Sequence, residues 1–167
     1  MPARIYLRRI THTDEREFLA SVQASRALHR PWVQAPSTPK QFRAYVRRLQ
    51  RPDHRGSLVR ARGTGALIGV INLSNIVLGN FRSAYLAYYA FAGFEKQGLM
   101  AEGLREVVRH AFRSMRLHRL EANIQPENAP SLVLVRSCGF AKEGFSPRYL
   151  KVGRRWRDHE RWAIIAS

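Results

Sequence analysis

The sequence predicts a mixed α/β domain in which helices lie on a largely antiparallel central sheet. Three observations carry that prediction. Leu104, Val107, Val108, Ala111, Phe112 and Met115 form one continuous apolar stripe at the helical period of about 3.6 residues. Runs rich in β-branched and aromatic residues, among them 66–78, 85–91 and 120–124, are separated by Gly, Pro and Asn. A length of 167 residues with 45% hydrophobic side chains supports one core, and therefore a single domain over residues 1–167.

The elements follow in order. Ile5, Leu7 and Ile10 fit a short first strand that stops at Thr11-His12-Thr13. A helix capped by Thr13 or Asp14 carries Phe18, Leu19, Val22 and Ala27 until Pro31 stops it. Residues 30–39, with Pro31, Pro36 and Pro39 around Trp32, form a loop, and Ser37 or Thr38 caps a second helix bearing Phe42, Tyr45, Val46 and Leu49. Three strands are then expected around 58–61, 66–78 and 85–91. The striped helix follows, with Glu102, Arg105, Glu106, Arg109, His110 and Arg113 on its polar face. A strand at 120–124 and a helix at 131–138, closed by Gly139, come next. Strands near 140–151 and 156–165 complete the chain.

Charge is the anomaly of the composition. Twenty-nine Lys and Arg stand against 12 Asp and Glu, a formal charge of +17, and 25 of the basic residues are Arg. Such a surplus attracts polyanions, whether nucleic acid, an acidic protein or a phosphate-rich ligand; base composition of the coding DNA is a second source of the Arg excess. The only cysteine, Cys138, excludes an internal disulfide and any cysteine-cluster metal site. Its place beside Gly139 at a helix end reads as core. No stretch reaches the roughly 20 apolar residues of a membrane span or resembles a signal peptide, so a soluble, cytoplasmic protein without membrane contact is expected.

Three places are suited to chemistry. At 94–102 a strand meets the best helix across Gly98, where the unpaired N–H groups of a first helical turn suit a diphosphate. In Asn128-Ala129-Pro130-Ser131, Asn128 and Pro130 suit a helix start, and capping alone would satisfy them; the functional reading points the Asn128 amide and Ser131 hydroxyl at a ligand. The third is the tail 149–159. Asp158 and His159 are adjacent on a strand and point to opposite faces, so they form no catalytic dyad, and His159 reads as a buried or substrate-lining residue. No histidine spacing suggests a metal, and none is expected.

Together, Lys96-Gln97-Gly98-Leu99-Met100-Ala101-Glu102, Asn128-x-x-Ser131, Gly139-Phe140-x-Lys142-Glu143-Gly144 and Trp156-Arg157-Asp158-His159 resemble the GNAT acetyltransferase superfamily. Within it the chain is similar to the RimJ/RimL branch, and to the RimJ type most, over residues 5–165. Leu28-His29-Arg30-Pro31-Trp32 resembles that branch's proline-tryptophan loop. The resemblance implies a GNAT fold, its mostly antiparallel sheet splayed between two parallel strands, 85–91 and 120–126. It implies acetyl-CoA as cosubstrate and the N-terminal amine of a ribosomal protein as acceptor. The pantetheine arm would then meet the backbone of Tyr89, Ala90 and Phe91, and its diphosphate the segment Lys96, Gln97, Gly98, Leu99, Met100 and Ala101. Asn128 would hold the arm, and Ser131 would protonate the leaving thiolate. Trp32, Tyr85 and His159 would line the acceptor site, with Tyr85 or a backbone carbonyl collecting the proton.

The sequence departs from the family pattern in three places. Glu95 and Met100 occupy the ends of the diphosphate-loop motif, Val135 stands where many relatives carry an acidic Tyr, and Tyr85 stands where the RimL type has Glu. Cofactor affinity is then expected to lean on nearby Arg or Lys, and no carboxylate is nominated as base. Two other functions fit the composition. One keeps the chemistry with a small amine as acceptor. The other is a ribosome- or RNA-binding module using the basic run Arg43, Arg47, Arg48, Arg51 and Arg55, a sequence that reads equally as a solvated face.

Overall fold

The computed structural model describes all residues, Met1–Ser167. Strands β1 (Ile5–Arg9), β2 (Arg55–Ala61), β3 (Leu67–Val77), β4 (Ser83–Ala90), β5 (Arg119–Ile124), β6 (Ala141–Val152) and β7 (Arg155–Ile165) form one sheet in the order β1-β2-β3-β4-β5-β7-β6. All neighbours are antiparallel except β4 and β5. Helices α1 (Glu15–Ala24), α2 (Arg26–His29) and α3 (Pro39–Leu49) lie on one face, and α4 (Leu99–Arg113) and α5 (Ala129–Ser137) on the other.

The predicted stripes are the faces that pack. Leu104, Val107, Val108 and Ala111 of α4 are buried in a cluster of 22 residues with Val59, Ile68 and Ile71 of the sheet. On the opposite face Phe42, Tyr45, Val46 and Leu49 of α3 join Phe18 and Phe91 in a second cluster of 11. Each fully buried Leu, Ile or Phe contributes about 1.5–3 kcal/mol of transfer free energy. Close approach of helix to sheet depends on Gly69, where a Cβ would lie 2.5 Å from the Met100 sulfur and 2.6 Å from the Tyr89 carbonyl oxygen.

The first helix does not run unbroken to Pro31. It divides at Ser25, whose buried hydroxyl donates to the Ser21 carbonyl at 2.6 Å and accepts the Ala92 N–H at 2.9 Å. A serine bonded back to its own helix loosens the turn that follows. The basic run 43–55 forms no single patch. Arg43 pairs with Glu15, Arg51 with Asp53, Arg48 stacks over Tyr45, and Arg55 sits on the other face of the sheet.

The parallel pair decides where a ligand can enter. β4 and β5 pair only over Ser83–Arg119, Ala84–Leu120 and Tyr85–Glu121. Beyond Tyr85 each strand stays with its other neighbour: Leu86 to Ala90 remain bonded to β3, and Ala122 to Ile124 to β7. The sheet therefore splits into a V. No helix of the chain is long and apolar enough to cross a membrane.

Candidate active site

A cleft of about 320 Å³ occupies the V between β4 and β5. Asn128 and Ser131 line it from the start of α5, Leu86 to Tyr89 from β4, Ala122 to Gln125 from β5 and its continuation, Trp32 from the proline-rich loop, and His159 from β7. The loop meets the β6–β7 turn at its rim, where Gln34 lies against Gly153. Trp32, Tyr89, Asn128, Ser131 and His159, separated by up to 127 positions along the chain, thus come together.

At the wide end of the V, Gly98 takes a left-handed φ of +75° and turns the chain into α4. The N–H groups of Leu99, Met100 and Ala101 find no acceptor within the protein, the first intrahelical bond being from Glu102 N–H to the Gly98 carbonyl. Their side chains are buried in the core, which fixes the backbone. Three fixed N–H donors at a helix start are a fitting cradle for a diphosphate. Arg4 supplies the basic group missing from the loop, its guanidinium reaching both Glu102 and the Gly98 corner. Glu95 is turned onto the preceding corner, where its carboxylate accepts the Gly93 N–H at 2.6 Å. Lys96 and Gln97 are exposed, and Gln97 donates to the Gly93 carbonyl.

The strand register sorts Tyr89, Ala90 and Phe91. Phe91 N–H bonds the Ile68 carbonyl across to β3, so by alternation it is the backbone of Ala90 and Tyr88 that faces the opening. The Ala90 carbonyl is engaged by His29 Nε2 at 2.7 Å, which assigns that nitrogen its hydrogen because a carbonyl only accepts. The buried His29 ring packs on Tyr89 and Phe91 and thereby braces the end of β4.

Beyond the diverged end of β5, Asn128 Oδ1 accepts the Ser131 N–H at 3.3 Å, the predicted cap, leaving the Asn128 amide nitrogen toward the cleft. Tyr88, which the sequence reading passed over, lies with its hydroxyl 2.7 Å from Ser131 Oγ. Burial raises its pKa far above the usual phenol, outweighing the opposing hydrogen bond from Ser131, so it stays protonated at any physiological pH. The period-2 pattern of β4, placing Tyr88 with Ala84 and Leu86, was the signal for it. Asn123 was also missed; its Oδ1 is buried, without a partner, and on the cleft wall.

His159 is 4% exposed and its Nδ1 lies 2.9 Å from the Arg157 carbonyl, which fixes the hydrogen on Nδ1 and leaves the Nε2 lone pair free. Asp158 points outward and accepts the Arg148 N–H of a bulge in β6, so the pair forms no dyad. Tyr85 is not gathered into the cluster. It sits at the closed end of the V, 40% exposed, beside Tyr149. Cys138 is buried behind α4, and burial pushes its thiol up, away from nucleophilic use.

A seven-stranded sheet split after one short parallel pairing, with an anion cradle following one arm of the V and a capped helix following the other, defines an acyltransferase of the GNAT type. The chain belongs to that family: residues 4–141 match the family model described as an acetyltransferase (GNAT) domain. Among relatives, the probable N-acetyltransferase YjcK of Bacillus subtilis is 31% identical over 75% of this chain and 70% of its own. The [ribosomal protein uS5]-alanine N-acetyltransferase of Escherichia coli is 41% identical over 56% of this chain, a match spanning 48% of that enzyme. Mycobacterium smegmatis RimJ, solved in complex with CoA-disulfide, superposes with a TM-score of 0.90 at 25% identity, over 97% of this chain and 82% of that one. A Vibrio cholerae spermidine N-acetyltransferase shares the fold with a TM-score of 0.84 at 20% identity, over 98% and 96% of the two chains.

Proposed function

We propose that the chain transfers the acetyl group of acetyl-CoA to an amine by direct attack in a ternary complex, and that the acceptor is the N-terminal α-amine of a protein, ribosomal proteins foremost. The observation that carries this reading is the lining of the cleft. Asn128, Ser131 and His159 meet there, and no carboxylate does; Lys151 is the one permanently charged group. A polyamine or aminoglycoside brings several positive charges and would find no countercharge. A peptide N-terminus brings one amine and a hydrogen-bonding backbone.

Bound acetyl-CoA supplies the acyl thioester that the amine attacks. The N–H groups of Leu99, Met100 and Ala101, with Arg4, hold the diphosphate, and the Asn128 amide orients the arm. The Asn123 carbonyl oxygen accepts a hydrogen bond from the acceptor amine and aims its lone pair. An α-amine of pKa about 8 is partly neutral at cellular pH, so base catalysis is a modest demand. His159 Nε2 receives the proton released as nitrogen bonds carbon, a role for which its fixed tautomer suits it better than Tyr85 at the closed end. Ser131 donates its hydroxyl proton to the departing sulfur and recovers one from solvent once CoA has left, while Tyr88, kept protonated by burial, holds the serine side chain in place.

Mass spectrometry of peptides bearing the N-termini of ribosomal proteins, incubated with acetyl-CoA beside spermidine, tests the reading. Monoacetylation at the α-amine is expected. Acetylation of spermidine with untouched peptides would replace it with the small-amine reading.

A further inference from the structure

We propose that the groove between the sheet edge and α4 is a binding site for a phosphodiester strand, distinct from the acetyl-transfer cleft and sharing only Arg4 with its diphosphate cradle. The groove has a volume of about 1010 Å³ and lies on the α4 side of β1 and β2. Its walls carry guanidinium groups at both ends: Arg4, Arg62 and Arg105 toward the start of α4, and Arg9, Arg55 and Arg109 toward its end. Arg8 borders it but turns to Asp14 on the other face. The carboxylates in the groove, Glu102 and Glu106, are taken by Arg4 and Arg109. Arg9, Arg55, Arg62 and Arg105 have no carboxylate within ion-pairing distance.

The far end is the informative part. Arg9 lies opposite Ser57 in the β1–β2 register, which makes it the diagonal same-face neighbour of Arg55. Like charges so placed repel unless an anion sits between them. His110 of α4 faces the same pair, and its Nε2 is buried with no hydrogen-bond partner. Burial first, then the neighbouring Arg9, holds Arg55 below the usual guanidinium range, and burial with Arg55 lowers His110. Glu106, itself engaged by Arg109, opposes this only in part. An anion bonded by two guanidiniums would discharge the arrangement.

The length of the groove selects the class of anion. Arg4, just before β1, and Arg9 at its end are five residues apart, about 16 Å of extended chain. One small anion cannot serve both ends, whereas a chain of phosphates can. Tyr6 borders the groove, but it alternates with Arg8 along β1 and its hydroxyl lies near Arg60 on the other face, so its ring is turned away from stacking bases. Recognition would therefore run through the backbone and be indifferent to base sequence.

Fluorescence anisotropy with labelled oligouridylate and oligodeoxythymidylate, each about twelve nucleotides long, tests the proposal on the full chain. Both should bind, with affinity falling steeply with salt. Arg9→Gln/Arg55→Gln should weaken binding about tenfold at low salt and flatten the log–log salt slope by about 1.4, the share of two single-strand phosphate contacts. Its KM for acetyl-CoA should stay unchanged. Arg62→Gln/Arg105→Gln, a pair exposed to solvent, repeats the test should the first pair misfold, and should show the same loss. Tighter binding of the uridylate would assign the strand to RNA through its 2′-hydroxyls, and equal binding to the backbone alone. Unchanged affinity in both pairs, a polyglutamate peptide that outcompetes the oligonucleotides, or a KM for acetyl-CoA that rises with the lost binding would each overturn the proposal.

Discussion

The Tyr88 hydroxyl lies 2.7 Å from Ser131 Oγ and donates toward the Ser131 carbonyl at 3.1 Å, across the gap between β4 and α5. This bond links one of the two strand edges left open by the split sheet to the first turn of α5. It also holds the Ser131 hydroxyl against a phenol that burial keeps protonated.

Removing the links of that pair should not be additive. Ser131→Ala is expected to lower kcat by about 10²-fold, within the ordinary range for a lost general acid, with CoA affinity retained in isothermal titration. Tyr88→Phe should cost about tenfold. The double variant should be no slower than Ser131→Ala alone, because Tyr88 acts only through Ser131. Steady-state kinetics of the four proteins measures the coupling directly.

His159→Ala should reduce kcat/KM for the acceptor by about 10²-fold while leaving KM for acetyl-CoA near its original value. Tyr85→Phe should change neither by more than about twofold. Equal losses in the two variants would return the proton-collecting role to Tyr85.

Gly98→Ala places a Cβ on a residue at φ +75° and 3.3 Å from the Arg4 guanidinium. Expected are a loss of about 1–2 kcal/mol in urea unfolding and a rise in the Kd for CoA, since the same corner sets the direction of the three free N–H groups. A variant with lowered stability and unaltered CoA affinity would separate the glycine's conformational role from the anion site.

Asp14 provides a pH test of stability. Burial works to raise its pKa, but Arg8, the Thr11 N–H and Arg60 together outweigh it and hold the carboxyl below the usual carboxylate range. A carboxyl depressed in the folded state stabilises above its unfolded pKa of about 3.9, and that contribution is lost as pH falls through the folded value. Stability should therefore drop below about pH 4. Asp14→Asn should lose about 2–4 kcal/mol at pH 7, leaving the buried Arg60 short of a partner, and should flatten the acid limb. Chemical denaturation at pH 7 and pH 3 checks both.

Much of the fold was legible because its signals are local. The α4 stripe, the Thr38 and Asn128 caps and the Gly98 corner are properties of a few consecutive residues, and each appears where the periodicity and capping chemistry place it. The break at Ser25 was not legible. It depends on a hydrogen bond from Ala92, 67 residues away. Asn128 and Ser131 were legible as a pair through their spacing, whereas the strand period places Tyr88 on an inward face without showing that Ser131 meets it there, and nothing near Asn123 in the sequence marks it. Arg4 was missed for the same reason, since only the β1–α4 contact brings it to the helix start.

The sequence by itself determined the class of the domain, the order of its elements, the anion-receptive start of α4 and the capped start of α5, because propensity, periodicity and capping act within a few residues. The tertiary structure alone decided three things. It opened the V, because β4 and β5 each kept a better-paired antiparallel neighbour. It fixed Tyr88 at that opening through hydrogen bonds with Ser131, 43 residues away, and brought His159 there on β7. It also distributed the +17 charge, which composition could only count. The basic run around α3 was dispersed into ion pairs and stacking, while arginines from β1, β2 and α4 that are remote in sequence gathered in a groove without enough carboxylates to balance them.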